Sequence, residues 1–227
     1  MNSRERVMAA ASHQEPDRVP VDMVLTIDVY RDMKRLLKMD HLPDTPRMGH
    51  WTDVQMPLEM IQALDLDMYY ISPRSAKSAH SRQFEDGSFT DEWGCYWKKT
   101  MIDGGHFYFE LQNPPLADAT IEDLEDYEWP DPSDPKRYEG LREEMQMVRD
   151  KSDLAILAKF AGAVFEVATY MRGHERWYRD LVNNQEFAHA LLDKVCKIQK
   201  EIDRVCIDAV GEYVDILRLS GEDLGTQ

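Results

Sequence analysis

Two adjacent carboxylates, Glu222 and Asp223, lie in the run Gly221-Glu222-Asp223-Leu224-Gly225, directly after an apolar segment of strand length at 214–219. Carboxylates held at a strand end can bind a metal ion, orient water, or work as acid and base. Neighbouring side chains of extended backbone point to opposite faces, so one of the two would enter a pocket while the other turns away. The bland alternative is a solvated acidic loop. A second candidate is the turn Phe160-Ala161-Gly162-Ala163-Val164-Phe165, which also leaves an apolar segment. Gly162 has no side chain, so a ligand or another backbone can come close there; a tight strand-to-helix turn would ask for the same small residue. His106 sits between Gly105 and Phe107, and Cys95 between Gly94 and Tyr96. Both read more readily as structural than as reactive. Trp93, Tyr96 and Trp97 could form a lid or a face for a flat ring, though such residues more often pack a hairpin down. The seven histidines fall at no metal-ligand spacing and no His-x-Cys pair occurs, so the metal ligands, if any, stay unknown.

These residues need elements to hold them. Residues 3–13 read as a short helix with Ser3 as cap and Val7, Met8 and Ala11 at helical spacing. Pro16 and Pro20 end it, and 19–25 is an apolar run of strand length. Helical periodicity resumes near Val29 and runs to Leu37. A loop rich in Pro, Asp and Met leads to a helix over 57–64 and a strand over 67–71. Over 84–111 aromatics separated by glycines predict antiparallel hairpins, inserted over a barrel mouth. An acidic, proline-rich connector follows, anchored by Leu116, Ile121, Leu124 and Trp129. Then come a helix over 137–150 and a strand over 154–160 that is almost wholly apolar, as burial on both faces demands. A helix over 164–181 follows. Asn183 and Glu186 read as a capping box for the next helix, which Gly211 ends before the last strand at 214–219. Strands and helices thus alternate four times, which predicts a parallel α/β architecture: an incomplete (β/α)8 TIM-like barrel of about four β/α units in a single domain. Four units leave two open edges, so the chain is expected to be a fragment or a homodimer paired through them.

Composition narrows the partners. With Lys+Arg 27 against Asp+Glu 43, the formal charge is −16. Such a surface repels nucleic-acid phosphates and anionic membranes. No apolar run has the length of a membrane span. Three cysteines, Cys95, Cys196 and Cys206, at no short spacing fit a reducing, cytoplasmic compartment, with the thiols buried or half-buried.

Several motifs occur together and in order: Arg4-Glu5-Arg6-Val7 through Pro16-Asp17-Arg18-Val19-Pro20-Val21; Phe160-Ala161-Gly162-Ala163-Val164-Phe165 followed by Thr169-Tyr170-Met171; and Gly221-Glu222-Asp223-Leu224-Gly225. The set resembles the uroporphyrinogen decarboxylase superfamily, and Asp91-Glu92-Trp93-Gly94 with Asn113-Pro114-Pro115-Leu116 resembles its corrinoid-dependent methyltransferase-like branch. The resemblance implies a (β/α)8 barrel with its pocket at the C-terminal ends of the strands. It implies that Phe160, Gly162, Ala163 and Phe165 border the substrate and that Tyr170 faces it as a hydrogen-bond donor. For a full-length member it implies zinc and a corrinoid, with His and Cys zinc ligands supplied by a second half beyond Gln227. One departure matters. A porphyrinogen with many carboxylates needs arginines after the first strand, yet that stretch reads Met23-Val24-Leu25-Thr26-Ile27-Asp28. An apolar mouth, with Met23 against the substrate, suits a small methylated compound better. The first expectation is therefore methyl transfer between such a compound and a corrinoid protein or a thiol or folate acceptor. The alternatives are a decarboxylase and a catalytically silent half-barrel that serves as a binding module.

Overall fold

The structure is a computed structural model and describes residues 1–46, 52–159 and 163–219. It resolves into two units: Met1–Pro73 with Tyr138–Phe160 and Cys206–Arg218, and Arg74–Arg137 with Ala161–Val205 and Leu219–Gln227. No helix among the described residues is long and apolar enough to cross a membrane.

The first unit is built on a parallel sheet. Its strands are β1 (Met68–Ile71), β6 (Ala155–Ala158) and β7 (Ile216–Leu217), in the order β1-β6-β7. Met68 pairs with Ala155 and Leu157 with Ile216. β6 is buried along its whole length, which is why an unbroken apolar run can form a strand here. Helix α1 (Ser3–Ala11) starts at a capping box, but the cap is Asn2 and not Ser3: the Glu5 N–H donates to Asn2 Oδ1 at 2.8 Å, and the Asn2 N–H to Glu5 Oε2 at 3.0 Å. Helices α2 (Ile27–Leu37) and α3 (Leu58–Ala63) follow. Helix α5 (Leu141–Lys151) buries Leu141, Met145 and Val148, one stripe of its surface.

The expected first strand at 19–25 is not formed. Pro20 has no N–H to give, and the Val21 N–H goes to the Asp67 carboxylate at 2.7 Å instead of to a neighbouring strand. The segment is tied only at points: the Asp67 N–H donates to Val21 O, the Val54 N–H to Leu25 O, and Thr26 bridges Asp53. Val19, Val21, Met23 and Val24 are exposed, so this apolar run is not a buried one. The described residues therefore hold three parallel strands where four were expected.

The second unit carries the antiparallel insertion. Strands β2 (Arg82–Gln83), β3 (Phe89–Thr90), β4 (Tyr96–Met101) and β5 (Phe107–Gln112) form a meander in that order. The acidic connector contains a short helix, α4 (Ile121–Asp126), capped by a Thr120–Asp123 box. The single helix expected over 164–181 is two, α6 (Val164–Arg172) and α7 (His174–Asn183), because Gly173 adopts φ +83°. Asn183 is thus the last residue of α7 and not a cap. The Arg172 guanidinium stands beside the break. It donates to Asp180 at 2.6 Å and to the Leu116 and Ala119 carbonyls at 2.6 and 2.9 Å, and it stacks over Phe187. Helix α8 (Gln185–Val210) belongs to the second unit as far as Val205, and its last turn to the first.

Candidate functional site

The two edges of the parallel sheet differ in chemistry. At the N-terminal edge two buried carboxylates each gather two arginines. Asp67, just before β1, takes Arg6 Nη1 and Arg18 Nη1 at 2.6 Å each. Burial opposes its ionisation, but hydrogen bonds from Val21, Ser3, Arg6 and Arg18 outweigh that and hold its pKa below the ordinary value. Asp215, just before β7, takes Arg4 Nε at 2.7 Å, Arg149 Nη2 at 2.6 Å and the Ile156 N–H at 2.8 Å. Both carboxylates are thus matched by cations at this edge. In sheets of this architecture that edge serves stability, and the chemistry gathers at the other.

At the C-terminal edge the groups are only partly matched. Tyr70 on β1 is buried, and its hydroxyl donates to Asp22 Oδ2 in the 19–25 segment. Arg218, the first residue after β7, donates from Nη1 to the Tyr70 hydroxyl oxygen at 3.3 Å, and its guanidinium lies 5.9 Å from the ring centre. The Arg218 N–H is fixed by the Ala158 carbonyl at 2.8 Å, and the Lys159 N–H by the Ile71 carbonyl at 2.9 Å. Gln55 donates to the Tyr70 carbonyl at 2.8 Å. Burial, then the Asp22 hydrogen bond and charge, push the Tyr70 phenol up to about 12 although Arg218 opposes them. Tyr70 therefore stays a neutral hydrogen-bonding group at ordinary pH and is no base. Met23 and Val24 follow Asp22 and stand exposed. Asp22, Tyr70 and Arg218 carry no shared motif, and reading the sequence did not find them. The only sequence signal was one arginine inside the apolar run at 214–219.

The residues picked from sequence fall in both units. Met23 is in the first, on the exposed segment just described. Tyr170, Ala163 and Phe165 are in the second. The Tyr170 hydroxyl donates to Glu166 Oε1 at 2.6 Å, one helical turn back. Its ring meets Trp97 edge-on at 5.0 Å and tilts against His174 at 5.8 Å. Ala163 takes a left-handed conformation, φ +59°, at the start of α6. Phe165 is half-buried against Trp177, at 5.5 Å. Phe160, Gly162, Glu222 and Asp223 lie outside the described residues.

The aromatic insertion is packed. Trp93, Cys95 and Trp97 are buried, and all three turn on Asp91. Its carboxylate accepts the Trp93 and Cys95 N–H groups at 2.9 and 3.0 Å and the Trp97 indole N–H at 2.8 Å. Burial pushes this carboxyl up to about 6 against those three donors. Cys95 is pushed well up by burial, so it is no nucleophile. Tyr96 is half-buried against Phe84, and His106 is exposed near the β4–β5 turn.

Among the described residues no three His, Cys, Asp or Glu side chains come close enough together to hold a metal ion.

Comparison with curated proteins gives no match. Among solved structures, the chain is similar to a methyltransferase from Methanosarcina mazei, at 16% identity and a TM-score of 0.49, over 96% of this chain and 58% of that one. The family model described as uroporphyrinogen decarboxylase (URO-D) matches residues 104–227, more than half of the chain, and this protein belongs to that family.

Proposed function

We propose that the chain acts in methyl transfer, on a small methylated compound and with a corrinoid protein as methyl carrier. One observation carries the reading: the segment beside the C-terminal sheet edge presents Met23 and Val24, 39% and 52% exposed, next to the carboxylate of Asp22 and without a basic residue. A porphyrinogen bearing many carboxylates would meet apolar surface, the negative Asp22 and a single cation, Arg218, there. A small methylated compound would meet surface it can cover. The corrinoid supplies the carrier on which a methyl group leaves or arrives. This chain's own groups bind and orient the substrate. Within this reading, and on the resemblance of their motifs alone, Tyr170, Glu222 and Asp223 are the catalytic candidates.

The test uses methylcobalamin as the probe. The protein is titrated against it and followed by its visible absorbance, and uroporphyrinogen III turnover is measured in parallel. Saturable spectral change without uroporphyrinogen decarboxylation is expected. Decarboxylation, or the absence of any spectral change, overturns the reading.

A further inference from the structure

Arginine is the scarcer partner in this chain, and acids are abundant. In the first unit, among the described residues, every arginine but one takes a carboxylate. Arg4 and Arg149 share Asp215, Arg6 and Arg18 share Asp67, Arg31 takes Asp44, and Arg35 and Arg142 take Asp32 and Glu212. Arg218 is the exception. Among the described residues its side chain makes one polar contact, to a neutral hydroxyl, and it is exposed at the sheet edge where ligands of this architecture bind. The nearby carboxylate, Asp22, is taken by the Tyr70 hydroxyl instead. Tyr70 thus seats the guanidinium through its oxygen and ring while the remaining N–H donors stay open.

We propose that Arg218 is the anchor for one carboxylate of the substrate. This deepens the methyl-transfer reading and rests on it: the substrate is a small methylated compound that carries a single carboxylate. The planar guanidinium fork matches a carboxylate through two parallel N–H···O bonds. One open guanidinium balances one negative charge. The Asp22 carboxylate beyond Tyr70 and the overall charge of −16 disfavour a dianion or a polycarboxylate at the same place. The exposed Met23 and Val24, which follow Asp22 directly, offer apolar surface to the rest of such a molecule. Tyr70 acts as a positioning residue: buried on β1 and kept protonated, it fixes where the guanidinium sits and stays uncharged itself.

The experiment compares 3-methoxybenzoate with its neutral isostere 3-methoxybenzamide by isothermal titration calorimetry. The purified chain is expected to bind the acid at least tenfold more tightly than the amide. Arg218→Met abolishes that preference, and Arg218→Lys keeps part of it, because charge remains but the fork is lost. Tyr70→Phe weakens the acid severalfold and leaves the amide unchanged. Arg82→Met, on β2, serves as the control and changes neither, and far-ultraviolet circular dichroism confirms that each variant folds. Equal affinity for acid and amide in the wild type, or an undiminished preference in Arg218→Met, overturns the assignment. The methylcobalamin titration is read separately. A carboxylate preference without a corrinoid response would sink the methyl-transfer reading and keep the anchor, and the reverse pattern would sink the anchor alone.

Discussion

Replacing Asp67 with Asn should cost this protein a large part of its stability. The Asp67 side chain is fully buried, and its partners Arg6 and Arg18 are 10% and 33% exposed. Removing one partner of a buried ion pair costs about 3–5 kcal/mol, because the charge left behind has no water to replace it. Two features reduce that here. Arg6 keeps Asp17 and Arg18 keeps Asp65, and the Asn carbonyl can still accept one of the lost hydrogen bonds. Against this, the Asn amide points a donor where Val21 and two guanidiniums already donate. The net expectation is about 2–4 kcal/mol at pH 7, read by urea unfolding followed by circular dichroism. The pH dependence gives a second check. Asp67 has its folded pKa depressed, so its contribution is complete above the unfolded value near ~3.9 and is lost as pH falls through the folded value. The difference between wild type and Asp67→Asn should be the same at pH 7 and pH 5 and shrink below about pH 4. A penalty under about 1 kcal/mol at pH 7, or one that changes between pH 7 and 5, would refute the account of Asp67 as an ionised clamp.

Asp91 should behave in the opposite sense. Its folded pKa is raised to about 6, so the fold favours the protonated acid. Relative to Asp91→Asn, whose amide does not titrate, wild type should gain about 1–3 kcal/mol as pH falls from 7 towards 4.5, and paired urea midpoints across that range measure it. Gly173→Ala should destabilise by about 2–3 kcal/mol, since φ is unfavourable for an L side chain and the added carbon clashes. Its Cβ would lie 2.9 Å from Pro114 Cγ. A melting temperature equal to that of wild type would contradict the helix break described for α6 and α7.

How much of this could be read from sequence depends on how local the cause is. β1 and β6 were legible because a run apolar on both faces has few other uses. The hairpins expected over 84–111 were legible because glycines punctuate their aromatics, while β2 (Arg82–Gln83) falls just outside that range. Val19 to Leu25 misled because its composition is that of a strand, while its N–H groups are spoken for by a proline ring and a carboxylate 46 positions away. The α6–α7 break had a visible cause in Gly173, but helical spacing on either side hid it. The site at the C-terminal edge had no local signature: Tyr70 and Asp22 are 48 positions apart, and Tyr70 and Arg218 are 148. Only a sheet that places β1 and β7 on either side of β6 brings them together.

The Arg4–Asp215 bond has a consequence for biosynthesis. It joins residues 211 positions apart, and the same aspartate caps the Ile156 N–H of the central strand. Nascent α1, β1 and β6 therefore keep an open flank and an unneutralised Arg149 until Asp215 has been made. Late contacts of such long range close slowly and leave strand edges exposed meanwhile. Chaperone demand during synthesis should accordingly concentrate on the first unit, and peak before Asp215 appears.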